Sequence, residues 1–490
     1  MHPRMAANVL HPRVIANSLG VIIAAGGAAM LLPAIYSLLT VDEEAQAFGI
    51  PAVAALALGA GLTFLTRSAE AHISVRDVFL IVALGWLGIA TVGSLPFVLS
   101  GLMGPVDAFF EAMAGFTTTG ASTIPTPEQV APSLLLWRSL TQWVGGIGIV
   151  LLFVALRPLV GFGAPQLYSA EVANPMPERV TPRIRDTAKI LAYVYGGLTL
   201  ASMAALLLAG MSLFDAVNHA LTTVSTGGYS TRSDSVAAFD SWAIELCLVV
   251  GMMLSGVNFV LYFQATQGRL GQVLRNRELL AYLGIITAGT VLMSASLYAF
   301  DYQDSLLFAF REALFQSVSL LTGTAFSAAD WKVWDPFSQG LLMLFMAIGA
   351  CAGSTSGGVK VIRAVLLTRH ASQEMFRMVH PRAVTPLRLG VRVVPERLRT
   401  AVLGFFFVYM ATLMVGTLLM ALYGLPVGTA LGSVFACLNI TGTALGPVGD
   451  PGFYEHLPAS AKVILTLFML LGRLELFTVL VLLTPEFWRR

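Results

Sequence analysis

Four short runs of hydroxyl-bearing and small residues carry the chemistry this sequence offers: TTTGAS ending at Ser122, STGGYS at Ser230, TGTAFS at Ser327 and TGTALG at Gly446. They recur about every hundred residues. Each closes a short amphipathic stretch, at 109–122, 216–230, 313–327 and 432–446, too short to cross a bilayer. A cation entering hydrocarbon loses its water, and backbone carbonyls can replace those oxygens without adding full charges. Glycine permits the left-handed angles that redirect successive carbonyls, and Thr and Ser add hydroxyl oxygens. The preceding short helix turns its partially negative C-terminus toward the ion. Small residues also let membrane helices pack closely, but irregular main chain at membrane depth persists only inside protein or beside a water-filled cavity. Four such breaks at matching positions therefore point to a shared cation path more than to packing.

Lipid is the solvent that must position these runs. Of 490 residues, 56% are hydrophobic and 11% charged, and the mean hydropathy is +0.78; an ordinary soluble surface is excluded. Each run lies between two long apolar stretches. The leading ones are 78–102, 190–211, 279–300 and 401–422, and the trailing ones 133–156, 242–264, 339–362 and 463–483. The first apolar stretch, 14–39, is too long for a signal-peptide core and is followed by no small-residue cleavage site; with 50–65 it forms a pair outside the pattern. The expectation is an all-α integral membrane protein: two N-terminal transmembrane helices (1–70), then four pseudo-symmetric helix–pore-loop–helix repeats (71–165, 166–272, 273–370 and 371–490) around one pore, with about ten crossings. Two spans per repeat return the chain to the same side, so the repeats are parallel rather than inverted.

Charge placement agrees with this topology. The connections between repeats carry Arg157, Arg179, Arg183, Arg185 and Lys189, then Arg269, Arg275 and Arg277, then Arg369, Arg377, Arg382, Arg388, Arg392, Arg397 and Arg399. Basic residues accumulate in cytoplasmic loops, so the opposite ends face outside. There Glu128, Asp234, Asp240, Asp330, Asp335, Asp450 and Glu455 suggest an acidic rim that concentrates cations, with Arg232 and Lys332 as exceptions. Cys247, Cys351 and Cys437 are far apart in apolar or glycine-rich surroundings, suiting small buried hydrophobes. No P-loop, dinucleotide fingerprint, His/Cys cluster or nucleophile elbow is present, so nothing points to an enzyme, an organic cofactor or a nucleic-acid partner. Without a nucleotide site of its own, the chain is expected to pass ions down their gradient or coupled to another ion.

The segments GFTTTGAS, SLTQWVGGIGIVLL, TTVSTGGYSTR, LLTGTAFSAADW, GACAGSTSGGVKVIR and LGRLELFTVLVLLTPEFWR closely resemble the TrkH-type membrane subunits of the Trk/Ktr/HKT superfamily of potassium transporters, over nearly the whole chain. The resemblance implies K⁺ as the transported ion. It implies a filter at Thr117, Thr118, Thr119 and Gly120; Ser225, Thr226, Gly227 and Gly228; Thr322, Gly323, Thr324 and Ala325; and Ile440, Thr441, Gly442 and Thr443. Gly120 and Gly228 take the filter-glycine position. Aligning the runs with one another puts Ala325 and Ala444 there in the last two. Either the register slips so that Gly323 or Gly442 takes the role, or an alanine holds a strained angle. The resemblance further implies a homodimer in a bacterial inner membrane and a cytosolic TrkA-like ring binding NAD(H) or ATP/ADP. The same architecture accommodates a Na⁺-permeable or Na⁺/K⁺-coupled carrier; a non-conducting scaffold is the more distant alternative.

Other positions gain meaning beside the runs. The stretch 349–358, GACAGSTSGG, is expected to break the third trailing helix. By resemblance, Gly349, Gly353, Ser354, Thr355, Ser356, Gly357 and Gly358 form a gating loop beneath the filter, with Lys360 and Arg363 at its cytoplasmic end; close packing of Gly and Ser is the alternative. Arg473 lies inside the last apolar run, where an ionised side chain normally faces a bundle interior or cavity. A pair with Glu475 is one reading, although residues two apart do not share a helix face; the resemblance makes Arg473 a barrier in the pore. Glu111, His219, Gln316 and Phe435 lie nine residues before the fourth position of each run. The three polar ones either brace the runs or are satisfied core residues.

Overall fold

The computed structural model describes residues 10–67, 73–156, 181–383, 385–389 and 392–489. Arg157, Arg179 and the boundaries at 70/71 and 165/166 lie outside the described residues, as do the side chains of Arg183, Arg185 and Arg392. The chain is mostly helical, as a bilayer demands, because a helix satisfies its own backbone groups. Among the described residues, the one sheet is a hairpin pairing Arg388–Leu389 with Arg392–Val393.

The helices run in order α1 (Pro12–Thr40), α2 (Ala45–Leu65), α3 (Val75–Leu99), α4 (Pro105–Phe116), α5 (Pro132–Leu156), α6 (Thr181–Leu208), α7 (Leu213–Val224), α8 (Trp242–Ser255), α9 (Phe259–Thr266), α10 (Leu270–Leu274), α11 (Arg277–Ala299), α12 (Leu306–Thr322), α13 (Pro336–Ile348), α14 (Val361–Val379), α15 (Glu396–Ala421), α16 (Val427–Leu438), α17 (Ala459–Arg473), α18 (Phe477–Leu480) and α19 (Pro485–Trp488). Among the described residues, seven helices are long and apolar enough to cross a membrane: α1, α2, α3, α5, α6, α11 and α15. Two bent pairs, α8 with α9 at 86° and α17 with the segment after it at 111°, raise the number to nine. The expected ten crossings fall short because three trailing runs are broken rather than continuous. Leu39, Leu208, Phe407 and Leu422 are exposed on the outside of the bundle, where lipid tails would meet them.

The pair α1 and α2 packs through glycines: a Cβ on Gly59 would lie 2.5 Å from the Gly20 carbonyl oxygen, a small-residue contact typical of membrane helices. The four short helices α4, α7, α12 and α16 begin three to seven residues before the sequence pattern placed them. At α4, α7 and α12 the reason is capping. Pro105 opens α4, Ser212 accepts from the Asp215 N–H at α7, and Ser305 accepts from the Leu307 N–H at α12, each satisfying or removing a free terminal donor. Every short helix packs on the long helix before it. In addition α7 packs on α5, α12 on α8 and α4 on α17, so the last group returns to the first.

Candidate functional site

Each short helix ends in a run with the same backbone signature. Two residues spaced two apart are left-handed: Thr118 (φ 57°) and Gly120 (78°), Thr226 (55°) and Gly228 (76°), Gly323 (74°) and Ala325 (58°), Ile440 (59°) and Gly442 (64°). The second of each pair turns its N–H back to a carbonyl six residues earlier: Gly120 to Ala114 (3.3 Å), Gly228 to Thr222 (3.5 Å), Ala325 to Ser319 (3.2 Å) and Gly442 to Ala436 (3.2 Å). Gly120, Gly228, Ala325 and Gly442 are therefore structural equivalents. The third and fourth runs reach this backbone register in different ways. The fourth run slips by two residues, so Gly442 rather than Ala444 takes the position, and Asn439 rather than Thr443 belongs to the run. The third keeps Ala325 at a left-handed angle, while Gly323 occupies the earlier left-handed site that Thr118, Thr226 and Ile440 hold elsewhere.

The runs also touch in sequence. A Cβ on Gly120 would lie 2.3 Å from the Gly227 carbonyl oxygen, one on Gly228 1.7 Å from that of Thr324, and one on Gly442 2.5 Å from that of Thr119. No side chain fits at these three contacts. At Ala325 a methyl group occupies the corresponding place, and a left-handed angle costs an L-residue about 1–2 kcal/mol. Ala325→Gly is accordingly expected to stabilise the fold by up to about 1 kcal/mol, read as a raised unfolding temperature in detergent; a marked loss of stability would contradict the strain.

Behind the runs sits a set of polar braces. Glu111 accepts from Ser122 Oγ (3.0 Å), the Thr123 N–H (2.8 Å) and Arg138 Nε (2.8 Å); His219 Nε2 meets Ser230 Oγ (3.1 Å); and Gln316 Nε2 donates to Ser327 Oγ (3.1 Å). With the corrected register the fourth counterpart is Ser433, not Phe435. Among the described residues Ser433 bonds within its own helix, to the Ala430 carbonyl (2.9 Å), and Ala444 stands where the other runs have serine. The fourth run is held instead by the Tyr454 hydroxyl, which donates to the Gly442 carbonyl (3.0 Å). Sequence reasoning missed Gln142 and Arg138. Gln142 Nε2 donates to the Gly227 carbonyl (2.7 Å) and its Oε1 accepts from the Tyr229 N–H (3.1 Å). The available signal was a polar residue inside the apolar stretch 133–156.

On one side of the runs lies a cavity of about 450 Å³ whose lining includes Gly120, Gly228, Ala325 and Gly442 together. Its walls carry Arg138, Arg232 and Lys332 against Asp234, Asp330 and Asp450. The expected acidic rim is therefore balanced by fixed cations. Just outside, partial desolvation raises the Glu128 carboxyl, but the Ser233 N–H (2.6 Å) and hydroxyl (3.0 Å), together with Arg232, outweigh it and hold the group below the ordinary carboxylate range.

On the opposite side the chain between α13 and α14 runs without helix through Gly349 (φ 72°), Gly353 (75°), Gly358 (77°) and Lys360 (81°), so the expected break is present. Thr355 Oγ1 lies 3.1 Å from Thr226 Oγ1, and a Cβ on Gly357 would sit 2.3 Å from the Asn439 carbonyl oxygen. The loop thus presses on the second and fourth runs. Ser354 Oγ donates to the Cys351 carbonyl (2.7 Å), Ser356 Oγ accepts from the Ala350 N–H (3.2 Å), and Lys360 Nζ donates to the Ser356 carbonyl. The loop also explains the bend between α8 and α9: the Gly256 carbonyl accepts from the Cys351 N–H (3.1 Å), and the Phe259 N–H donates to the Gly353 carbonyl (3.1 Å). Two broken elements satisfy one another. Arg473, 3% exposed, donates to the Thr355 carbonyl (2.6 Å) and the Gly145 carbonyl (3.1 Å). Glu475 pairs with Arg363 (2.6 Å), which lies over the Phe405 ring, so Arg473 and Glu475 are not partners.

Comparison with known proteins adds an independent line. A profile of the TrkH family, described as "Cation transport protein", matches residues 44–297 and 304–490. "Trk system potassium uptake protein TrkH" of Salmonella typhimurium is 39% identical over 484 residues, covering 98% of this chain and all of that protein. "Trk system potassium uptake protein TrkG" of Escherichia coli is 30% identical over 486 residues, with 98% and 100% covered. The crystal structure of the potassium transporter TrkH from Vibrio parahaemolyticus superposes with a TM-score of 0.91 at 37% identity, over 98% of this chain and 100% of that one.

Proposed function

Because the chain belongs to the TrkH family of cation transport proteins, we propose that it carries K⁺ into a bacterial cell through a pore whose filter is formed by the four runs. It is a multi-pass membrane protein of a transporter family rather than an enzyme. In this reading the repeats 71–165, 166–272, 273–370 and 371–490 surround one axis, with 1–70 outside them. The filter comprises Thr117 to Gly120 and its three counterparts, and its cavity faces outside across the inner membrane. The single observation that carries the reading is that Gly120, Gly228, Ala325 and Gly442, about a hundred residues apart in the chain, line one cavity. An inside-negative potential favours entry by about 2.3 kcal/mol per charge per 100 mV, so no nucleotide site is required in this chain.

Reconstituted protein should take up K⁺ and Rb⁺ in preference to Na⁺, and its expression should restore growth of K⁺-uptake-deficient cells in low K⁺. Failure of both would reject the proposal. Equal Na⁺ uptake would favour the second reading, a Na⁺-permeable carrier, for which the Ala325 methyl is the motivating observation. The loop 349–360 acts as the gate and Arg473 pins it shut. Its release is the work of a cytosolic TrkA-like ring binding NAD(H) or ATP/ADP, docked on the basic connections of a homodimer.

Replacing Arg473 by alanine removes both the tether to Thr355 and a positive charge near the path. Lowering a barrier by about 1 kcal/mol raises a rate about fivefold. Regulator-independent Rb⁺ leak is therefore expected to rise about fivefold in Arg473→Ala, and also on shortening the loop; leak at the wild-type level in both would remove the gate from this account.

A further inference from the structure

The three basic residues on the cavity wall are not equivalent. Arg138 is buried against Glu111 at 2.8 Å. Arg232 pairs at 3.3 Å with Asp215, whose side chain is only 7% exposed. Lys332 differs because its partners are solvated: Nζ meets the Asp450 carboxylate and lies 3.8 Å from that of Asp330, and each of these side chains is 57% exposed. Lys332 is nevertheless held in place. Its N–H donates to Asp330 Oδ1 (3.3 Å), its carbonyl accepts from Gln339 Nε2 (2.6 Å), and its stem lies where a Cβ on Gly449 would come within 2.7 Å of Cδ. Its ammonium also approaches the Gly449 carbonyl at 3.5 Å. The side chain therefore reaches from the loop after the third run to the loop after the fourth, over the run that lacks a serine brace.

We propose that Lys332 is a tethered entrance cation: Asp450 holds its ammonium against the cavity wall, and the pair together sets how readily external K⁺ reaches the filter. The inference rests on the K⁺-uptake reading above. A fixed charge in an aqueous mouth changes the local concentration of a permeating cation and is screened by salt. Deleting the ammonium leaves the acidic groups uncompensated and draws cations in. Deleting the Asp450 charge leaves the ammonium with only the looser Asp330 contact, so its charge is less compensated and its tether to the fourth loop is lost.

Rb⁺ uptake into proteoliposomes, measured against external Rb⁺ with an impermeant organic salt setting ionic strength, reads this directly. Lys332→Met is expected to lower the half-saturating concentration about two- to threefold at about 10 mM ionic strength, and Asp450→Asn to raise it by a similar factor; both shifts should vanish near about 1 M. Maximal uptake should stay within about twofold of wild type. The two substitutions break the same ion pair, so a purely structural role would move both variants in one direction, or independently of salt, and either result overturns the proposal. No shift in either variant overturns it too. Wild-type vesicles that fail to take up Rb⁺ would instead reject the transport reading, and this inference with it.

Discussion

Gly228→Ala is expected to lower K⁺ uptake about a hundredfold, equivalent to about 2.7 kcal/mol at the proposed filter. Gly228 holds φ at 76°, and its missing Cβ would lie 1.7 Å from the Thr324 carbonyl oxygen. The atom opposite is main chain and belongs to the next run, so accommodation must move one run relative to another. Strain from the left-handed angle alone accounts for only about 1–2 kcal/mol. Gly210 separates the two effects: it holds φ at 95° with nothing within 4 Å of a built Cβ. Gly210→Ala should thus lose a little stability and keep its Rb⁺ flux, whereas Gly228→Ala should reach the membrane and conduct almost nothing. Wild-type flux in Gly228→Ala would mean that the contact between these runs is not part of the ion path.

The membrane class, the N-terminal helix pair and the four runs were legible in the sequence because they are written in local composition. Apolar stretches of membrane length and dense Thr/Ser/Gly runs need no tertiary information. The register of the fourth run was not legible. TGTAFS and TGTALG match letter for letter over four residues, yet the structure aligns Ala325 with Gly442 because each turns its N–H to a carbonyl six residues back. Only the length of the preceding helix fixes that choice. The bends at 256–258 and 474–476 were likewise hidden. The first depends on the loop 349–360 supplying hydrogen-bond partners from another part of the chain. Gln142 showed its polarity but not its target, since Gly227 lies 85 residues away in the chain.

Arg138→Met is expected to destabilise the protein by about 3–5 kcal/mol, because removing one member of a buried ion pair strands the other. The Glu111 side chain is fully buried and that of Arg138 is 3% exposed. The guanidinium also donates to Ser122 Oγ (3.0 Å) and lies 4.0 Å from the centre of the Tyr229 ring. Its loss therefore loosens the first run and the residue that follows the second at the same time. A double substitution, Glu111→Leu with Arg138→Met, replaces the pair by apolar groups of similar size, an exchange that is often neutral for stability. The unfolding temperature should then recover toward wild type. Uptake should not, because Ser122 and the Thr123 N–H lose the carboxylate that positions them behind Gly120. Recovery of both would assign the pair to packing alone; stability without flux would show that the braces act on the geometry of the run.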